Sequence, residues 1–392
     1  MKNMVFQILH FLDTAAWLLA APSVAYIAFY AAAGALLPSR PAPAFRTNAG
    51  RKASFLVVYP AYSEDNVIVC SVERFLLQDY PADKYRVAVV SDHQLRSTEE
   101  RLSQLPVTLL RPAFRHSSKA NALRHAVESL PSHYDYIVIL DADNVVNADF
   151  LSRLNDVASM GYDAIQCHRC AKNSDSSISV LDAMSEEVNN TLFRKAHNAV
   201  GLSSALIGSG MCFAYRWFSA NVGKLATAGE DRELEVLLLS QGVFIKYADH
   251  IPVFDEKVSS RENFQRQRQR WMSAQLQCLL AMLRGLPRAV VQGNVNYIDK
   301  TLQQMLIPRS MLVVGTMAMS VVTLALAPWH SVKWWLLLAV SGLSLLLATP
   351  RSMLTAPRLL MLAKLPGLAW AMMKGLRHID RKNRDFIHTR HH

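Results

Sequence analysis

Tyr136-Ile137-Val138-Ile139-Leu140-Asp141-Ala142-Asp143 is the stretch that decides the fold. Five apolar or aromatic residues run straight into two carboxylates spaced i, i+2. An apolar run of this length, bounded by polar residues, reads as a buried strand of a parallel sheet. Alternate side chains of an extended chain point the same way, so Asp141 and Asp143 emerge together at the strand's carboxyl end. Open α/β sheets take their ligands at that edge. Two carboxylates there suit a hard divalent cation that also takes oxygens from a substrate diphosphate. A solvated turn carrying two acids is the alternative.

Outward from this strand, the sequence alternates strand and helix patterns. Phe55 to Tyr59 and Val87 to Val90 are strand-like, and Val107 to Leu110 gives a third strand. Val67 to Leu77 has helical spacing, with Ser63 or Asp65 as candidate caps. Lys119 to Leu130 places Leu123, Ala126, Val127 and Leu130 on one helical face. Alternating units of this kind imply a doubly wound, mostly parallel sheet. Beyond Phe150 the pattern loosens. Ile178 to Ala199 reads as a long helix, Leu206 to Tyr215 as a Gly-interrupted strand or loop, and Glu230 to Ser240 as a helix closed by Gly242. Glu262 to Leu283 is helical and basic at its start.

The chain has 392 residues, of which 51% are hydrophobic. The excess is local. Phe6 to Leu37 is almost continuously apolar, and Met311 to Ala327 and Trp334 to Ala348 are uncharged. The first is long enough to cross a bilayer, and the other two reach that length with a turn of flank each. An uncleaved anchor explains the first run better than a signal peptide, whose apolar region is shorter. Arg40, Arg46, Arg51 and Lys52 after the first span, and the basic residues from Arg351 onward, place the middle region and the tail in the cytoplasm of a cell-membrane protein. Pro328 to Lys333 is then a loop facing outward. Ala356 to Leu376 carries Lys364, Pro366 and Lys374 and reads as an in-plane interfacial helix. The resulting division is an N-terminal span (1–37), a linker (38–52), a cytoplasmic domain (53–285), two spans (286–350), and an interfacial helix with a basic tail (351–392).

A net charge of +11 calls for anionic partners. No nucleic-acid-binding signature is present, and anionic lipid headgroups or a diphosphate substrate account for the charge more simply. Five scattered cysteines argue against a disulfide framework. Cys167-His168-Arg169-Cys170 lacks a second pair and reads as structural. His388, His391 and His392 sit at the terminus and are weak metal candidates.

Further motifs occur in order: Pro60-Ala61-Tyr62-Ser63-Glu64, Asp92, Ser118-Lys119-Ala120-Asn121-Ala122-Leu123, Gly229-Glu230-Asp231, and Gln267-Arg268-Gln269-Arg270-Trp271. With Asp141-Ala142-Asp143 in its place among them, the set resembles family 2 glycosyltransferases of the membrane-bound cellulose-, hyaluronan- and chitin-synthase-like branch, from about Ser54 to Trp271. The resemblance implies a GT-A-type nucleotide-sugar domain and inverting transfer from a UDP-sugar to a glycan or lipid-linked acceptor. It implies a Mg²⁺ or Mn²⁺ ion on Asp143, with Asp141 on the nucleotide. Tyr62 and Glu64 would lie by the base and ribose, and Asp92 would accept the uracil imide hydrogen. Lys119, at a helix start, would face the diphosphate or sugar. Asp231 would be the general base, with Glu230 beside it. Gln267, Arg270 and Trp271 would close the site, Arg270 on phosphate and Trp271 under a sugar ring. Two departures stand out. Ser63 replaces a common Asn, and Ser91-Asp92-His93 replaces an acid pair followed by Gly, so uridine specificity is inferred through the resemblance alone. Donor choice would lie with the Ser209 to Tyr215 region and its neighbours. The Gln-x-x-Arg-Trp element favours repeated addition, whereas three spans are few for a secretion channel and favour a short product, an accessory subunit or a homo-oligomer. A non-catalytic glycan-binding or scaffold subunit of a synthase is the alternative.

Overall fold

The computed structural model describes residues 2–38, 50–131, 133–174, 176–227, 229–257, 261–361, 363 and 367. Most of the 38–52 linker, the 368–392 tail with His388, His391 and His392, Lys364, Pro366 and Lys374 lie outside these residues, as do the side chains of Arg261 and Arg266.

Eight strands form one sheet: β1 (Phe55–Tyr62), β2 (Tyr85–Asp92), β3 (Thr108–Leu110), β4 (Tyr136–Ile139), β5 (Val145–Val146), β6 (Ala164–Ala171), β7 (Met211–Ala214) and β8 (Ile245–Asp255). Their order is β3-β2-β1-β4-β7-β6-β8-β5. The half built from β1 to β4 is parallel, as the alternating pattern requires. β7 then enters antiparallel between β4 and β6, and β5 is antiparallel to β8, so the sheet is mixed. The pleat explains the uninterrupted apolar runs. Phe55, Val57 and Tyr59 face a core shared with helices Ile68–Phe75 and Phe150–Ala158. Leu56 and Val58 face a second core under helices Lys119–Ser129 and Glu230–Ser240. Both faces are covered, so neither position can be polar.

The cap expected for helix Ile68–Phe75 is not made. Asp65 instead accepts the Leu95 amide at 2.7 Å, and Ser63 has φ +52° with its backbone N–H on Asp92 O at 3.0 Å. The long helix expected over Ile178–Ala199 is present from Ser177, but passes through a π turn at Thr191–Lys195.

Among the described residues, three helices are long and apolar enough to cross a membrane: Gln7–Leu36 within the N-terminal helix, Arg309–Leu326 and Pro328–Ala348. Pro328 to Lys333 is not a loop. Pro328 opens the third of these helices at a position where its missing N–H costs nothing, leaving Ala327 as the hinge of a hairpin. Lys333 and Trp334 both donate to Asp13, tying that hairpin to the N-terminal helix. The same helix lies against the π turn: a Cβ at Gly34 would sit 2.9 Å from Thr191 Cγ2. Below it, Tyr26 and Tyr30 donate to Asp299 at 3.0 and 2.7 Å, and His197 reaches Asp299 at 3.0 Å. Burial disfavours the Asp299 carboxylate, but His197 and the two hydroxyls outweigh it and lower its pKa.

Candidate active site

Register builds the site. β1 and β2 pair Tyr62 with Asp92, and β1 and β4 pair Val58 with Ile139. The chain leaving β1 at Pro60–Tyr62 therefore emerges beside both Asp92 and Asp141. All eleven side chains singled out from the sequence line one cavity of about 480 Å³ at this carboxyl edge.

Lys119 joins the two halves of the cavity. Ser118 caps its helix by accepting the Asn121 N–H, which sets Lys119 at the first helical position. Its Nζ donates to Asp141 Oδ1 at 2.5 Å and to Gly208 O at 2.6 Å, and lies 3.3 Å from Glu230 Oε1. Asp231 borders the same point: a Cβ at Gly208 would lie 3.7 Å from Asp231 Oδ2 and 3.8 Å from Glu230 Oε1. Gly208 has φ +82°, so glycine both supplies the backbone conformation and leaves room between the carboxylates. Burial works against the Lys119 charge, but Asp141 and Glu230 outweigh it and raise its pKa. Glu230 is pushed up to about 7, by burial first and then by Asp231 and Asp141, with Lys119 opposing.

Asp143 is fixed by its neighbours. Its Oδ1 accepts from Asn144 at 3.1 Å, and its Oδ2 accepts the Glu256 N–H at 2.8 Å. Asn144, fully buried, also accepts the Asp141 N–H at 2.9 Å and the Ser209 hydroxyl. Glu64 faces this group and is pushed up to about 8, by burial and then by Asp143, Asp141 and Glu256. Such crowding of carboxylates fits a hard divalent cation, which would relieve their mutual repulsion and takes oxygen ligands. At the ends of β1 and β2, Asp92 Oδ1 contacts His93 Nδ1 at 2.6 Å, and the Tyr62 and His93 rings are 5.3 Å apart.

Helix Arg261–Val291 forms the opposite wall with Gln267, Arg270 and Trp271. Gln267 Oε1 is buried with no hydrogen-bond partner among the described residues. Arg268 covers one face of Trp271, 4.5 Å from the ring centroid, while pairing with Asp182. Deeper still, a chain of ion pairs runs Arg169–Asp255–Lys257–Glu186–Arg194. The segment lining the cavity is Ala205 to Gly208, not Ser209 to Tyr215. Ser209 is spent on Asn144, and Met211–Ala214 is a sheet strand with Tyr215 buried beneath it.

Sequence reasoning missed Asn144, Glu256, Arg169 and the ion-pair chain. Asn144 follows the second aspartate directly and could have been read as a turn-forming Asx. The others carry no local pattern. Cys170 meets His168 and Glu187, but His168 is already engaged. Its ring contacts Glu187 at 3.0 Å and Asp249 O at 2.9 Å. Burial alone would lower the His168 pKa; Cys170 and Glu187 lift it to about 10. No disulfide links the five cysteines.

The chain is similar to several solved structures. A mannosyltransferase from Pyrobaculum calidifontis, in complex with GDP-Man and Mn²⁺, aligns at TM-score 0.50 and 18% identity over 92% of this chain and 100% of its own. TarS 1–349 of S. aureus aligns at TM-score 0.43 and 13% identity, covering 83% of this chain and 89% of its own. Glucosyl-3-phosphoglycerate synthase from Mycobacterium tuberculosis, with Mn²⁺, UDP and phosphoglyceric acid, aligns at TM-score 0.41 and 16% identity over 58% and 78%. No curated protein sequence matches the chain. The first of these carries the fold comparison: an α/β GT-A-like domain with a mixed sheet and long apolar helices at both ends. Residues 52–274 match the family model described as "Glycosyltransferase like family 2". With more than half of its length accounted for in this way, the chain belongs to the family 2 glycosyltransferases.

Proposed function

We propose that this protein is an integral membrane hexosyltransferase of the inner or plasma membrane with its catalytic domain in the cytoplasm. It transfers a sugar with inversion from a UDP-sugar to a hydroxyl of a glycan or lipid-linked acceptor, giving a β-linkage. The observation that carries the reading is the meeting at Gly208. Lys119 bonds the Gly208 carbonyl and Asp141, while the carboxylates of Glu230 and Asp231 border the same glycine. Leaving-group and proton-accepting chemistry thus adjoin, as an in-line displacement requires.

In the step itself, the acceptor oxygen bonds to the anomeric carbon and the bond from that carbon to the diphosphate oxygen breaks. The electron pair leaves with UDP, and the hydroxyl proton passes to Asp231. Asp231 lies in the first turn of its helix and accepts the proton late, once the hydroxyl has become acidic. Asp143, with Asp141 and Glu64 near it, would hold Mg²⁺ or Mn²⁺, which when bound supplies charge neutralisation for the departing diphosphate. Lys119 and Arg270 add fixed positive charge, and Gln267 offers its unpartnered Oε1 to a sugar hydroxyl. Tyr62 and Asp92 hold the nucleoside end.

The experiment is a screen of nucleotide sugars against the purified full-length protein with Mn²⁺, reading UDP release and product mass. UDP release from one sugar, abolished in Asp143→Ala and reduced in Asp231→Asn, is the expected result. Absence of release from every donor, together with no thermal stabilisation by UDP plus Mn²⁺, would overturn the reading.

A further inference from the structure

At one end of the cavity, at the strand edge, carboxylates gather around Lys119. The lining also includes Arg268, stacked on Trp271, with Arg194 and Arg309 facing each other near it, and the apolar Ile27, Phe193 and Ile307. Arg309 is the first residue of a membrane-crossing helix. Its Nη2 donates to Ser185 O at 3.1 Å and Ser185 Oγ at 3.2 Å. Its Nη1 is buried with no partner, and no carboxylate pairs with it among the described residues. The charged groups that face it are Arg268, Arg194 and Glu186. Arg268 is held by Asp182 and Arg194 by Glu186.

Arg169, Arg194, Lys257 and Arg268 pair with Asp255, Glu186 and Asp182, whereas Arg309 has no ion-pair partner among the described residues. A buried cation without a counter-charge is costly, and a ligand that brings the charge removes the cost. A phosphate that joins a lipid to a saccharide is a diester with one negative charge, or a diphosphate with about two, and its free oxygens match a guanidinium fork. The adjoining side chains are apolar and belong to elements at the membrane helices, so the rest of the ligand is hydrocarbon.

We propose that this part of the cavity binds the phosphate of a lipid-linked acceptor, with Arg309 as its principal ligand. No bond is made or broken at the phosphate; it anchors the acceptor so that its saccharide reaches toward Asp231. The role as an acceptor site rests on the glycosyltransferase reading above; the binding of a lipid phosphate does not.

The test uses full-length protein in a neutral maltoside detergent, with farnesyl phosphate, farnesol and inorganic phosphate as probes, and melting temperature and dissociation constant as readouts. Farnesyl phosphate is expected to bind ~10-fold or more tightly than farnesol or inorganic phosphate. Arg309→Gln is expected to lose that margin and Arg309→Lys to keep part of it, with UDP–Mn²⁺ affinity unchanged in both. Equal binding of farnesyl phosphate and farnesol by the wild type overturns the proposal without recourse to any variant. So does inorganic phosphate matching farnesyl phosphate, or Arg309→Gln binding like the wild type. Failure of UDP and Mn²⁺ to bind the wild type would strike the glycosyltransferase reading instead, and the farnesyl phosphate comparison would still decide this one.

Discussion

Replacing Lys119 by methionine should expose how much of the site's charge it holds in check. The side chain is 14% exposed, Glu230 10% and Asp141 34%. Removing one partner of a buried ion pair costs about 3–5 kcal/mol. Asp141 is screened by solvent, so ~3 kcal/mol is the appropriate figure at neutral pH. For a domain of this size that is a fall in melting temperature of ~6–12 °C. The loss should depend on pH, through Glu230. Its pKa rises from 4.5 to about 7 on folding. An acid raised in this way stabilises the fold below its unfolded pKa, and the contribution disappears as pH climbs through the folded value. Without the opposing Lys119 charge the folded value moves higher still, and each further unit adds ~1.4 kcal/mol of loss on the alkaline side. Lys119→Met should therefore lie nearer the wild type at pH 6 than at pH 8.5, and Lys119→Met/Glu230→Gln should recover part of the deficit at pH 8.5. Thermal unfolding in detergent at both pH values measures this. The same deficit at both, with no relief from Glu230→Gln, would refute the network as described.

Other expectations follow from the same geometry. Asp231→Asn should lower kcat by ~10²–10⁴-fold while UDP–Mn²⁺ affinity is kept, as titration calorimetry beside initial rates can establish. Glu64 is held near 8 by burial and neighbouring acids, so Glu64→Gln should raise the melting temperature at pH 9 and change it little at pH 5. Gly34→Ala should destabilise by ~1–3 kcal/mol through its clash with Thr191 Cγ2, and Thr191→Ser, which lacks that methyl group, should relieve the clash in a double-mutant cycle.

The carboxyl edge was legible because each of its pieces follows an apolar run. Phe55 to Tyr59 announces Tyr62 and Glu64, Val87 to Val90 announces Asp92, and Tyr136 to Leu140 announces Asp141 and Asp143. The right half of the sheet was not. β7 has four residues between Gly210 and a helix, too few to show a period, and only its pairing with β4 and β6 reveals its direction. The ion pairs beneath the cavity were invisible for another reason. Arg169 and Asp255 are 86 positions apart, and a lone charge in a sequence reads as solvated until its partner is brought to it. Pro328 misled in the opposite sense: proline marks a turn and a helix start equally well, and here it starts a helix.

The cluster in which Tyr26, Tyr30 and His197 close on Asp299 has a mechanical consequence. It clamps the N-terminal apolar helix to the α/β domain by side chains. Under the membrane reading proposed above, the distance from the cavity to the lipid plane is then a constant of the molecule, like the height of a lathe tool above its bed, and substrates must arrive at that depth.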